Sequence, residues 1–139
     1  MPDVSRETVT LLLQVAFLVG AVTDGLAVIP MLSRRIGAAL FGGDSARNNI
    51  EYRIAWGIGA ALMAGWTLLL LWGAARPIER REILLLTVFP VISGIVFATV
   101  IAARRGVVLV SRIMPLWIHL AAVSLFYITV YILSIPFAP

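Results

Sequence analysis

The chain has 139 residues, of which 61% are hydrophobic and 13% charged. Soluble proteins average about 45–50% apolar and about 25% charged residues, so a soluble fold of this size could not bury so much apolar surface. The sequence contains no cysteine and one histidine, which excludes disulfides, thiolate metal sites and histidine-rich metal sites. The net charge of +4 includes eleven arginines that flank apolar runs, a pattern that favours membrane anchoring over nucleic-acid binding.

Four apolar stretches are each long enough to cross a bilayer as a helix, which takes about 20 residues. They cover residues 8–32, 53–75, 83–103 and 113–135. None of them alternates with a period of two, so a strand interpretation fails. We therefore predict an all-α, integral membrane four-transmembrane-helix bundle that forms a single transmembrane domain over residues 1–139.

The connections between these stretches differ in length. The first, residues 33–52, is long, and its segment 34–41 mixes arginines with apolar side chains, as in a helix lying on the membrane surface or a plain loop. The second, residues 76–82, is short, so the second and third helices should be antiparallel neighbours. Pro90 lies inside the third helix and is expected to interrupt its regular geometry.

The arginines predict the orientation, because cytoplasmic loops carry an excess of basic residues. The N-terminus and the second loop carry four: Arg6, Arg76, Arg80 and Arg81. The other two loops carry seven: Arg34, Arg35, Arg47, Arg53, Arg104, Arg105 and Arg112. We therefore expect both termini outside. The absence of lysine indicates a GC-rich genome, and we expect the cell (inner) membrane of a prokaryote.

Small residues recur every four positions on two of the predicted helices, where they let helix backbones approach closely. They are Gly57, Ala61 and Gly65 on the second helix, and Gly94, Ala98 and Ala102 on the third. We predict that they are helix-packing residues. They serve either to pack these two helices within one chain or to form the interface of a homo-oligomer.

The first apolar stretch contains Asp24, eight residues from its end, or about 12 Å deep at 1.5 Å per residue. An acid at the centre of a membrane helix costs about 2.5–3.5 kcal/mol on insertion scales, so it usually has a partner or a task. His119 lies about 9 Å deep from the same face. The two can meet, either locking two helices or forming a proton relay. Thr23 can donate to Asp24 or bond its own backbone, so Asp24, His119 and Thr23 form the predicted intramembrane polar site.

Three functions are compatible with these observations. The first is a small transporter or channel component that uses the Asp24–His119 site. The second is a binding or assembly subunit of a larger membrane complex, favoured by the small size and the small-residue faces. The third is an enzyme acting on a lipid or quinone, which would need a lateral cavity containing Asp24 and His119.

We predict no catalytic residue and no metal site, and the sequence has neither an HExxH motif nor a glycine-rich phosphate loop. It leaves the cofactor unknown. The expected partners are the lipid bilayer and either a second copy of the chain or another membrane protein. We expect no nucleic acid.

Overall fold

The computed structural model describes residues 5–33, 35–37 and 50–137. The chain forms four long helices: α1 (Arg6–Leu32), α2 (Ile50–Ala75), α3 (Glu82–Arg104) and α4 (Val110–Ser134), followed by a 3-10 turn at Ile135–Phe137. Each is long and apolar enough to span a membrane, and the described residues contain no strand. The predicted all-α membrane bundle of four helices is confirmed.

The outer surface of the bundle is apolar, as lipid contact requires. Leu62, Phe97 and Leu125 are 71%, 69% and 69% exposed. Such exposure would destabilise a soluble protein, whereas lipid tails are as apolar as these side chains. The chain is a multi-pass membrane protein.

The helices begin up to three residues before their predicted starts, because polar residues in a first turn lower the local hydropathy without ending the helix. α2 begins at Ile50 and α4 at Val110. At the start of α1, the Ser5 side chain accepts a hydrogen bond from the Thr8 backbone N–H (3.2 Å) and caps the helix. Within the segment considered for a surface helix, residues 35–37 are helical, and the others lie outside the described residues.

α1 and α2 run antiparallel in close contact. Gly73 of α2 lies against Phe17 of α1, and Gly59 lies beside Met31. Met31 follows Phe17 by fourteen residues on α1, whereas its neighbour Gly59 precedes Gly73 by fourteen residues on α2, so the two helices run in opposite directions. The glycines allow this approach because they place no side chain between the two backbones.

Two tryptophans connect α3 to its neighbours. Trp66 Nε1 on α2 donates to Thr87 Oγ1 (3.1 Å), and Trp117 Nε1 on α4 donates to Thr99 Oγ1 (2.9 Å). Both acceptors are on α3. α2 and α3 are thus neighbours, as the short turn between them predicts.

The core lies towards the end of the bundle where the start of α1, the turn at residues 76–81 and the end of α4 meet, which we call the turn end. The opposite end is the far end. The clustered buried residues are Val9, Leu13, Ala16, Phe17, Ala21, Leu70, Ile83, Leu84, Val88, Tyr127 and Val130. Towards the far end, Ser93–Arg104 contributes no buried residue, and neither does the part of α1 after Ala21. Tight packing therefore ends three residues before Asp24 along α1.

Polar contacts close the turn end. Arg81 Nη1 donates to the Ser134 carbonyl oxygen (3.1 Å), and the Tyr131 hydroxyl donates to Glu82 Oε1 (3.1 Å). These bonds tie the turn and the start of α3 to the end of α4. They reinforce the end at which the apolar core is already packed.

α3 is irregular around Pro90, as predicted. Residues Thr87–Ile92 form a π-helical turn. Proline has no backbone N–H, and its ring clashes with the preceding turn, so the regular hydrogen-bond pattern cannot continue. The wider turn accommodates this break without ending the helix.

Two glycines of α2 give a matched test of the core. A Cβ at position 73 would overlap the buried Phe17 ring, whereas a Cβ at Gly65 meets nothing within 4 Å. We expect Gly73→Ala to lower the free energy of unfolding by about 1–3 kcal/mol, because overpacking forces neighbours to shift. Gly65→Ala should be neutral or slightly stabilising, because alanine favours helix. Unfolding by SDS in mixed micelles measures both, and equal stabilities would contradict the α1–α2 contact.

Candidate functional site

Asp24 lies one helical turn beyond the buried Gly20 on the same side of α1. Its Oδ2 atom is buried and has no hydrogen-bond partner among the residues that the structure describes. Buried polar atoms are nearly always hydrogen-bonded, and an unsatisfied one costs about 1–3 kcal/mol. Asp24 is therefore the polar group of the bundle that most needs an explanation.

Tyr127 of α4 approaches the same region. Its ring is 0% exposed, and its hydroxyl lies against α1 where a Cβ at position 20 would be. Glycine at position 20 is thus required for the approach. The Tyr127 hydroxyl is also buried without a hydrogen-bond partner in the described part of the chain, and it lies one helical turn from Asp24 along α1.

The carboxylate of Asp24 and the hydroxyl of Tyr127 form an acid–phenol pair that is not hydrogen-bonded. A carboxylate accepts hydrogen bonds, and a phenol both donates and accepts. A polar ligand that reaches both groups would satisfy them. The arrangement therefore has the chemistry of a small polar binding site inside an apolar bundle.

Two threonine hydroxyls near Asp24 are already bonded to their own helices. Thr67 of α2 faces Gly25, with its methyl carbon 3.7 Å from a Cβ built there, and its hydroxyl donates to the Met63 carbonyl (2.9 Å). Thr23 donates to the Val19 carbonyl (2.8 Å). The sequence left open whether the Thr23 hydroxyl donates to Asp24 or to its own backbone, and in the structure it donates to its own backbone. Both oxygens keep lone pairs that can accept a further hydrogen bond.

His119 is exposed on α4, and the structure does not bring it together with Asp24. Four buried residues of α4 recur every seven positions, which keeps them on one side of the helix: Ile113, Leu120, Tyr127 and Ser134. His119 precedes Leu120 by one position, and one residue rotates the direction of the side chain by about 100°. It therefore points away from the bundle interior although its predicted depth matches that of Asp24.

The small-residue faces are open. Gly57, Ala61 and Gly65 are exposed on α2, and a Cβ at either glycine meets nothing within 4 Å. The same holds for Gly94 of α3, and Ala98 is exposed. The described structure does not use these residues to pack α2 against α3, because α2 turns its other side to α1.

The residues that do make the close contacts, Gly20, Gly73 and Tyr127, are absent from the predicted site and packing residues. A signal for Tyr127 exists in the sequence. It is the polar member of the seven-residue series on α4, and Gly20, one turn before Asp24, leaves room for a large side chain. Read together, these two features favour a tyrosine–glycine contact beside the acid.

A groove of about 450 Å³ runs along α3 beside the π-helical turn. Phe89, Phe97 and Ser93 line it from α3, and Ser124 lines it from α4. Neither Asp24 nor His119 belongs to its lining. It is not the lateral cavity that an enzyme using those two residues would need.

No model of a known protein family matches the chain, and no curated protein or solved structure matches it either. Function is therefore inferred from the chemistry of the site.

Proposed function

We propose that this chain is a small membrane transporter in which Asp24 is the substrate-binding group and the Tyr127 hydroxyl assists it. One observation carries the proposal. The Asp24 Oδ2 atom and the Tyr127 hydroxyl are buried without hydrogen-bond partners in the described residues, and the hydroxyl lies against Gly20, one turn before Asp24 on the same side of α1. A merely structural pair would be expected to bond directly, because an unsatisfied buried group destabilises the fold.

Charge supports a role in binding. Residues 8–32, 54–75, 83–103 and 113–137 contain one acid, Asp24, and no arginine. An uncompensated carboxylate at the bilayer centre costs about 2.5–3.5 kcal/mol on insertion scales. Either a proton or a bound cation removes this cost, so the site can carry either one across the membrane.

The packing supports access from one side. The core and the polar contacts close the turn end, whereas Ser93–Arg104 contributes no buried residue towards the far end. On this proposal, Asp24 exchanges its ligand from the far end, where α1 contributes no buried residue after Ala21. The arginine distribution favours the far end in the cytoplasm and both termini outside, and the expected membrane is the inner membrane of a prokaryote.

The proposal is tested by proton entry into proteoliposomes. A potassium gradient with an ionophore imposes an inside-negative potential, and a dye in the lumen reports the pH. The wild-type protein should raise proton entry above that of protein-free liposomes, and Asp24→Asn should remove the increase. If liposomes that contain the wild-type protein take up protons no faster than protein-free liposomes, both with and without an added solute gradient, the proposal is overturned.

The exposed small-residue faces favour a second function, in which this chain docks another membrane protein as an assembly subunit or docks a second copy of itself. Gly57, Ala61 and Gly65 form a stripe that no described residue covers at its two glycines. Such stripes allow close helix contact in membranes. If α2 docks another chain here, Gly65→Ile should abolish crosslinking in native membranes. Leu62→Ile, an exposed site beside the stripe, should leave crosslinking unchanged. A wild-type protein that crosslinks to nothing would contradict this function.

A further inference from the structure

The side chains around Asp24 supply hydrogen-bond acceptors and few free donors. The ionised carboxylate is an acceptor only. Thr23 and Thr67 have already donated their hydroxyl protons to the carbonyls of Val19 and Met63. Among the described hydroxyls named here, that of Tyr127 alone has not donated its proton. A ligand must therefore bring its own donors.

The acceptors that converge on one side of α1 come from two helices. Asp24 lies on α1, and the Tyr127 hydroxyl of α4 lies against Gly20, one turn away on the same side. An ammonium group has three N–H donors and no acceptor. Its donors can be shared between the carboxylate and the phenol oxygen, with the carboxylate bond strengthened by charge.

Anions and hard metal ions fit this site less well. An anion would meet a carboxylate with no arginine in residues 8–32, 54–75, 83–103 and 113–137 to offset the repulsion. Calcium takes six to eight oxygens, usually including several carboxylates. In the described residues no three histidine, cysteine, aspartate or glutamate side chains are grouped to hold a metal.

The walls of the site towards the turn end are apolar. Leu70 lies 3.1 Å from a Cβ built at Gly20, and Phe17 is fully buried one turn before Gly20. These side chains are already packed in the core, so they add no polar group to the site. Resting on the proposed function, we infer that the substrate is a protonated amine, held at Asp24 by its N–H groups.

The test uses three probes with the same four-carbon body: n-butylammonium chloride, n-butyltrimethylammonium chloride and sodium butyrate. The protein is labelled with ¹⁵N-glycine in detergent micelles and titrated at constant ionic strength with sodium chloride. The amide signals of Gly20 and Gly25 report on the site. Gly65 and Gly94, which face outwards, serve as controls in the same sample.

We expect n-butylammonium to shift the Gly20 and Gly25 signals in a saturable way, with Gly65 and Gly94 unchanged. The trimethylated cation should bind about tenfold more weakly or worse, because it lacks N–H donors. Butyrate should cause no shift, and Asp24→Asn should remove the response to butylammonium.

Equal binding of the trimethylated cation, a saturable shift with butyrate, or no response to butylammonium would overturn the inference. The proton-entry assay contains no amine, so the two claims fail separately. Proton entry that depends on Asp24 without amine binding rejects only the substrate class. Amine binding without transport rejects the transporter.

Discussion

Proton entry into proteoliposomes is expected to fall by about 100-fold or more, to the level of protein-free liposomes, when Asp24 is replaced by asparagine. Asparagine has nearly the same shape but can neither carry the proton nor neutralise a cation. The loss should therefore come from the missing charge and not from altered packing. The assay is the potential-driven influx described above.

Stability separates this explanation from misfolding. An uncompensated carboxylate in the bilayer costs about 2.5–3.5 kcal/mol, so Asp24→Asn should be at least as resistant to SDS unfolding as the wild type. His119→Gln changes an exposed group and should alter neither property. Normal proton entry with Asp24→Asn, or loss of entry together with a less stable protein, would contradict the role of Asp24.

Removing the Tyr127 hydroxyl should lower proton entry by about tenfold or more while the fold is kept. This hydroxyl has no hydrogen-bond partner in the described residues, so Tyr127→Phe breaks no bond and keeps the buried ring in place. The substitution removes the hydroxyl that lies against Gly20, one turn before Asp24. Proton entry and SDS unfolding of the purified variant measure the two effects.

Tyr131, one turn further along α4, provides the matched control. Its hydroxyl donates to Glu82 at the turn end (3.1 Å). Tyr131→Phe should lower the free energy of unfolding by at most about 1.5 kcal/mol, because the lost hydrogen bond is exposed. It should leave proton entry unchanged. The reverse pattern, with function lost at Tyr131 and stability lost at Tyr127, would place the site at the turn end instead.

Hydropathy was sufficient to predict the four helices, because a membrane span needs about 20 consecutive apolar residues whatever its neighbours. It also identified Asp24, since an acid inside such a stretch is costly. Both inferences depend on position along the chain, which a sequence contains directly.

The rotation of each helix could not be predicted in the same way. In a soluble helix the polar face marks the outside, but in a membrane both the lipid-facing and the buried sides are apolar. His119 and Leu120 are adjacent in α4, yet only Leu120 is buried. The matching depths of Asp24 and His119 therefore predicted a histidine near Asp24, whereas in the structure the α4 residue that approaches this region is Tyr127.

The small residues show the same limit. Gly65 and Gly73 lie on one helix, and nothing in their local sequence reveals which of them meets another backbone. The structure separates them, because Gly73 lies against Phe17 and Gly65 is open. The spacing of four predicts that a face can pack closely without predicting what covers it.

Solid-state NMR of the protein in lipid bilayers tests the acid–phenol pair most directly. With ¹³C-labelled aspartate, tyrosine and histidine, we predict a through-space cross-peak between the Asp24 carboxyl carbon and the Tyr127 ring. Asp24→Asn and Tyr127→Phe should each shift or remove it. A cross-peak from Asp24 to the His119 ring, or none to any tyrosine, would contradict the site described here.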